Sequence, residues 1–234
     1  MKNQPIIKFT DQPGRRERHL RRRHNNPLFA WPAKQITPKA LQWAQQADQE
    51  EMESFHASFT DLVSNIAEMP KATDSETLLE LKQRLEQHYE ISAGLAEDHS
   101  QEQTDIRRLL DVIMRTIHRH AGDDPLASRE LADEETARQI HFRLLQQPLI
   151  ADLLYPESPI LPDELTPTLL SSTPEEIDAV CEIFDPEHLA RLVDEAETLR
   201  TRLAEAPVDI SAIDRPLAQL RTNLAQLHML GNTN

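Results

Sequence analysis

TDSETLLELKQRLEQHYEISAGLAEDHSQEQTDIRRLLDVIMRTIHRH, residues 73–120, decides the fold. Leu78, Leu81, Leu85, Leu95, Ile106, Leu109 and Ile113 lie along it at the spacing that turns one helical seam toward a partner helix. The stretch holds no proline and one glycine, Gly94, so it reads as a long helix or two placed end to end. His88, His99 and Glu102 fall on or beside the seam. Polar residues there either fix register or mark a break near Gly94, with Ser100 and Gln103 capping a fresh helix. The pattern stops at Gly122, after cations that suit the negative end of a helix.

Upstream, Thr37 is placed to cap a helix that Pro38 opens. Met52, Phe55, Phe59, Leu62, Ile66 and Met69 step by threes and fours and form one apolar stripe, which Pro70 ends. Thr73 and Glu76 have capping-box spacing, so the next helix should start there and run antiparallel to the first. A turn near residue 72 brings His56 opposite His88. Glu53 and His56 also form the Glu-x-x-His pattern used by di-iron bundles. The chain supplies no second such helix, so Glu53, His56, His88, His99 and Glu102 are candidate ligands of a weak kind. Histidines of this sort more often pair with neighbouring carboxylates or face solvent, and neither a metal site nor a cofactor is assigned.

Downstream, Asp123, Asp124 and Pro125 form a turn. Ser128 to Gln147 then reads as an amphipathic helix through Ala137, Ile140, Leu144 and Leu145, interrupted at Pro148. Residues 155–167 hold four prolines among Tyr155, Ile160, Leu161 and Leu165, a hinge candidate expected to pack on its own body. Thr173, Pro174 and Glu176 start one further helix, and Asp185 with Pro186 another. The seams Leu189–Leu203 and Ile213–Leu227 should pair antiparallel. Cys181 sits among Val180, Ile183 and Phe184, surroundings that make a thiol a packing residue.

Composition agrees with this reading. Four glycines and 4% aromatic residues argue against sheet-rich folds and glycine-cradled phosphate sites. A single cysteine excludes an intramolecular disulfide. No apolar run approaches the roughly 20 residues needed to cross a bilayer, and the N-terminus lacks the apolar core of a secretory signal. The expected class is all-α: antiparallel helical hairpins forming one or two bundles, in a cytoplasmic protein. The expected divisions are a disordered basic arm over 1–38, a helical hairpin over 39–122 and a C-terminal helical domain over 123–234.

Charge is segregated. Residues 1–39 carry ten Lys and Arg against Asp11 and Glu17, whereas residues 40–234 carry 15 against 38. Within the arm, Arg15, Arg16, Arg18, Arg21, Arg22 and Arg23 could form a short cationic helix, followed by Leu28, Phe29 and Trp31. Guanidinium forks suit carboxylates and phosphates, and the aromatic pair suits an apolar pocket or a base. The arm therefore points to an acidic protein surface, this protein's own body included, or to nucleic acid. With no catalytic signature in the chain, the leading expectation is a non-enzymatic interaction protein, an adaptor, assembly factor, regulator or scaffold component that docks on a larger partner through the basic and aromatic arm or an exposed helical seam. Self-association through the long hairpin would be its simplest form. The alternatives are a nucleic-acid-associated protein that places the arm on phosphates, and a helical-bundle metal protein.

Overall fold

A computed structural model describes residues 7–24, 26, 28–29, 36–70, 73–95, 98–122, 125–155, 157–205 and 210–231. Among them the protein is all-α, with ten helices, one short 3-10 turn and no strand. The helices are α1 (Arg15–Arg23), α2 (Pro38–Ala67), α3 (Ser75–Gly94), α4 (Ser100–Ala121) and α5 (Pro125–Leu144). They continue as α6 (Pro148–Leu154), α7 (Leu165–Leu170), α8 (Pro174–Ile183), α9 (Pro186–Ala204) and α10 (Ser211–Gly231), with the 3-10 turn at Pro162–Glu164. No helix among the described residues is long and apolar enough to cross a membrane.

The chain divides into two compact units, one of residues 9–17 and 42–151, the other of residues 1–8, 18–41 and 152–234. In the first, the deciding stretch is neither one helix nor two end to end. It breaks after Gly94, and α3 and α4 pack side by side. Leu78, Leu81, Leu85 and Tyr89 of α3 meet Ile106, Leu110 and Ile113 of α4 in one core. The break is what lets both seams face that core, since an end-to-end arrangement would carry the α4 seam away from it. Each fully buried leucine here contributes roughly 1.5–3 kcal/mol of transfer free energy.

The helix α2 runs antiparallel to α3, with Ser58 Oγ 3.0 Å from His88 Nε2 and Asp61 3.9 Å from Arg84. Leu62 and Ile66 extend the same core from the α2 stripe. Thr37 accepts the Ala40 N–H at 3.2 Å, as its spacing predicts. At α3 the start lies one residue later than Thr73: Asp74 is the cap, accepting the Thr77 N–H at 2.9 Å, while the Thr73 hydroxyl turns back to the Pro70 carbonyl. A carboxylate is the stronger partner for the positive end of a helix than a hydroxyl. The helix α4 ends at Gly122, whose φ of +68° is the left-handed conformation that glycine adopts without strain.

The helix α5 starts at Pro125 and shows the core a face that shares only Leu145 fully with the one read in sequence. Ala137 and Ile140 are exposed, whereas Phe142 and Leu145 are buried and Phe142 stacks on Tyr89 with centroids 3.8 Å apart. The inward stripe is Leu131, Glu135, Arg138, Phe142 and Leu145, which steps by threes and fours but carries charge in the middle. Arg138 pairs there with Glu135 and lies 3.9 Å from Glu86, while Lys82 of α3 pairs with Glu134 and Glu86. An apolar-periodicity reading passes over such a face because ion pairs fill its centre.

In the second unit α10 packs on α7, α8 and α9. Ile213, Leu217 and Leu220 meet a core that includes Leu169, Ile177, Val180, Leu189, Leu192 and Ala196. Thr173 and Glu176 close the capping box at α8, and Asp185 caps α9 through the His188 N–H. In the proline-rich segment Ile160, Glu164, Thr166 and Pro167 are buried and Tyr155 and Leu165 half-buried, whereas Leu161, expected to pack, is exposed.

Candidate functional site

The cationic helix anticipated within the arm forms as α1, and five of its six guanidiniums meet carboxylates of the same chain. A helix of nine residues with six arginines is unfavourable alone, because like charges three and four apart repel. Order here comes from what surrounds it. The first-turn N–H groups of any helix need acceptors from outside it. Gly14 precedes α1 and has no side chain to offer, so Asp48 of α2 takes that role: Oδ1 accepts the Arg16 N–H and Oδ2 the Glu17 N–H, each at 3.1 Å. The fit requires glycine, since a Cβ at Gly14 would stand 2.4 Å from Asp48 Cγ.

Arg16 Nη1 also donates to Asp48 Oδ1 at 3.3 Å and to Glu51 Oε2 at 2.9 Å. Burial opposes the Arg16 charge, but bonds to Glu51 and Asp48 outweigh it and raise its pKa. Arg15 is 1% exposed and donates to Glu51 Oε1 at 2.9 Å. Its guanidinium lies over Gly94, the last residue of α3, where the negative end of a helix favours a cation. Glu17 is buried and accepts the Thr10 N–H and hydroxyl and the Gln45 amide. Burial pushes the Asp48 carboxyl above its usual range, against the pull of the two N–H donors and Arg16.

In the second unit the remainder of α1 repeats the pattern. Arg18 donates to Asp152 at 2.6 Å, Arg22 to Glu176 at 2.7 Å and Arg23 to Glu164 at 3.0 Å. Glu176 thereby serves twice, as the capping-box acid of α8 and as the partner of Arg22. Glu164 also receives His19 Nε2 at 3.0 Å. Burial lowers the His19 pKa, and Arg23 and Arg22 push it further down against the pull of Glu164. Arg21 is half-buried on the same helix.

Leu28 and Phe29 are half-buried, and Phe29 stands edge-on to His19 at 6.2 Å. Trp31 lies outside the described residues, as do 1–6, 25, 27, 30 and 32–35 of the arm. Leu28 and Phe29 form one wall of a groove of about 440 Å³. Its other wall is α9, with Leu199 and Leu203 at the floor and Asp194 and Glu195 at the rim; α7 closes the end with Thr166 and Pro167.

The candidate metal ligands do not converge. Among the described residues, no three His, Cys, Asp or Glu side chains are placed to hold one ion. His88 is bonded to Ser58 and, through Nδ1, to the Arg84 carbonyl at 2.7 Å. His99 is buried against Phe55 and 5.4 Å from the His56 ring, with Glu102 3.8 Å away. Exposed Glu53 is taken by Gln49 at 2.9 Å. Cys181 is buried, and burial pushes its thiol up.

The residues that receive the arginines were not singled out in sequence, although a signal existed. The α2 stripe continues upstream as Leu41, Ala44, Asp48, Glu51 and Phe55, again stepping by threes and fours. Two carboxylates in line with a buried stripe call for cations from elsewhere in the chain. Compared with models of known families, with curated proteins and with solved structures, the chain matches none.

Proposed function

We propose that this protein is a non-enzymatic protein–protein interaction protein, of the adaptor, assembly-factor, regulator or scaffold kind, that receives a cationic partner on its acidic helical body. The observation that carries the reading is the fate of α1. Arg15, Arg16, Arg18, Arg22 and Arg23 all end on carboxylates of the same chain, so carboxylate-lined helical surfaces are what this molecule uses to hold a basic segment. The same engagement argues against placing the arm on nucleic-acid phosphates. Half-buried or buried guanidiniums would have to leave their partners first, and breaking a buried pair costs about 3–5 kcal/mol.

Nuclease-treated affinity capture from the native host tests the reading, with the full chain as bait. A defined protein recovered in near-stoichiometric amount, and released as salt is raised, supports it. Capture of nucleic acid before nuclease treatment, with no protein left after it, overturns it.

A further inference from the structure

We infer that the groove walled by Leu28, Phe29 and α9 is the docking site for a short basic segment of a partner protein that carries one bulky apolar side chain. The inference rests on the interaction-protein reading and names the chemistry of the partner. Three observations converge. The groove is about 440 Å³, within the range of sites that take a small ligand or a few side chains rather than a folded surface. Its floor is apolar, from Leu199 and Leu203, and Leu28, Phe29 and Pro167 add apolar surface to its walls.

Its rim is acidic. Among the described lining residues, Asp163, Asp194 and Glu195 stand against Arg202. The Thr166 hydroxyl donates to Glu195 at 2.6 Å, so one rim carboxylate is already held in place before anything binds. Apolar floor and acidic rim together fit a side chain such as tryptophan or leucine flanked by lysine or arginine. The aliphatic stem of the basic residue would lie along Leu199 with its charge at the carboxylates. The same unit shows its carboxylates holding guanidiniums elsewhere, where Asp152, Glu176 and Glu164 take Arg18, Arg22 and Arg23.

The probe is a fluorescein-labelled synthetic peptide, AKWKAKA, titrated with the full chain by fluorescence polarisation beside AEWEAEA and AKAKAKA. The expected result is a Kd of about 0.1 mM or tighter for AKWKAKA, and at least about tenfold weaker binding for each of the others. Asp194→Lys changes an exposed rim position, and Leu199→Lys puts a charge on the floor. Each should weaken AKWKAKA by about tenfold, with Asp194→Lys leaving the melting curve in place. Equal binding of the three peptides, or no effect of Asp194→Lys, overturns the inference. Trp31→Ala is the remaining arm. If it tightens AKWKAKA by about tenfold or more, the occupant is this chain's own segment and the partner assignment falls. Peptide failure beside successful capture from the host removes this site alone, whereas peptide binding with no captured protein counts against the wider reading.

Discussion

The guanidinium of Arg15 fills the space that a side chain at Gly94 would need: a Cβ there would stand 1.6 Å from Arg15 Nη2. Alanine is otherwise the better helix residue by about 1 kcal/mol, so the two effects oppose each other. Gly94→Ala should destabilise the protein by about 1–3 kcal/mol, because Arg15 must leave Glu51 to make room. In an Arg15→Ala background the sign should reverse, to a gain of up to ~1 kcal/mol. Denaturant unfolding of the four chains of this double-mutant cycle checks it; additivity would show that the two residues do not compete for space.

Asp48→Ala should strip the first turn of α1 of its acceptor and leave Arg16 one partner short. A loss of about 2–4 kcal/mol follows from two backbone bonds and a buried charge partner. Hydrogen exchange should quicken first at the Arg16 and Glu17 amides, ahead of the α3 and α4 core.

Asp48 and Asp185 should shape acid stability with opposite signs. Burial raises the Asp48 carboxyl, so the folded protein keeps that proton to higher pH than the unfolded chain. Its contribution is full below the unfolded value and is lost as pH rises through the folded one. Asp185 is lowered by the His188 N–H it accepts, so its contribution is present above the unfolded value and lost as pH falls through the folded one. Denaturant midpoints taken from about pH 3 to pH 7 should show the gap between wild type and Asp48→Asn narrowing as pH rises, and that for Asp185→Asn widening.

His19 is held neutral by burial beside Arg22 and Arg23, with its pKa below the usual histidine value. The stability this confers is present above the unfolded value, about 6.5, and is lost as pH falls through the folded one. His19→Gln should flatten the stability profile on the acid side of neutrality. A ring titration by NMR with a midpoint above the usual value would overturn the assignment.

Phe142→Ala should cost about 3–5 kcal/mol, the usual loss on deleting a buried aromatic ring. Ile140→Ala, on the exposed face of the same helix, should cost within about 0.5 kcal/mol. Equal losses at the two positions would restore the face read from apolar periodicity.

The seams of α9, α10 and the second half of α2 were legible because each is apolar at nearly every inward position. That of α3 was legible through Leu78, Leu81 and Leu85, although Lys82, His88 and Ser92 are buried beside them. The caps at Thr37, Thr173 and Asp185 were legible because their short polar side chains sit immediately before a helix. The inward faces of α5 and of the first half of α2 were not. Arg138 and Glu135, like Asp48 and Glu51, are buried or half-buried by virtue of charges that lie 30 or more residues away or on a neighbouring turn, and hydropathy assigns every such residue to solvent. The helix α1 was anticipated, but the carboxylates that hold it were missed for the same reason. Its stability is written in the residues that receive it, not in its own sequence. Gly94 was visible as a break, but its service as the seat of Arg15 depends on a contact 79 positions back along the chain.

Consuming the arginines internally also changes how the molecule is met from a distance. The net charge is −15, and five of the six arginines in the one dense block of cations that would interrupt it are answered by carboxylates at contact range. Beyond a Debye length, about 8 Å in physiological salt, an approaching molecule senses a polyanion. Cationic proteins should therefore be drawn in faster than chance collision allows, with association rates that fall as salt is added. Polyanions should be turned away before they come near enough to compete for α1.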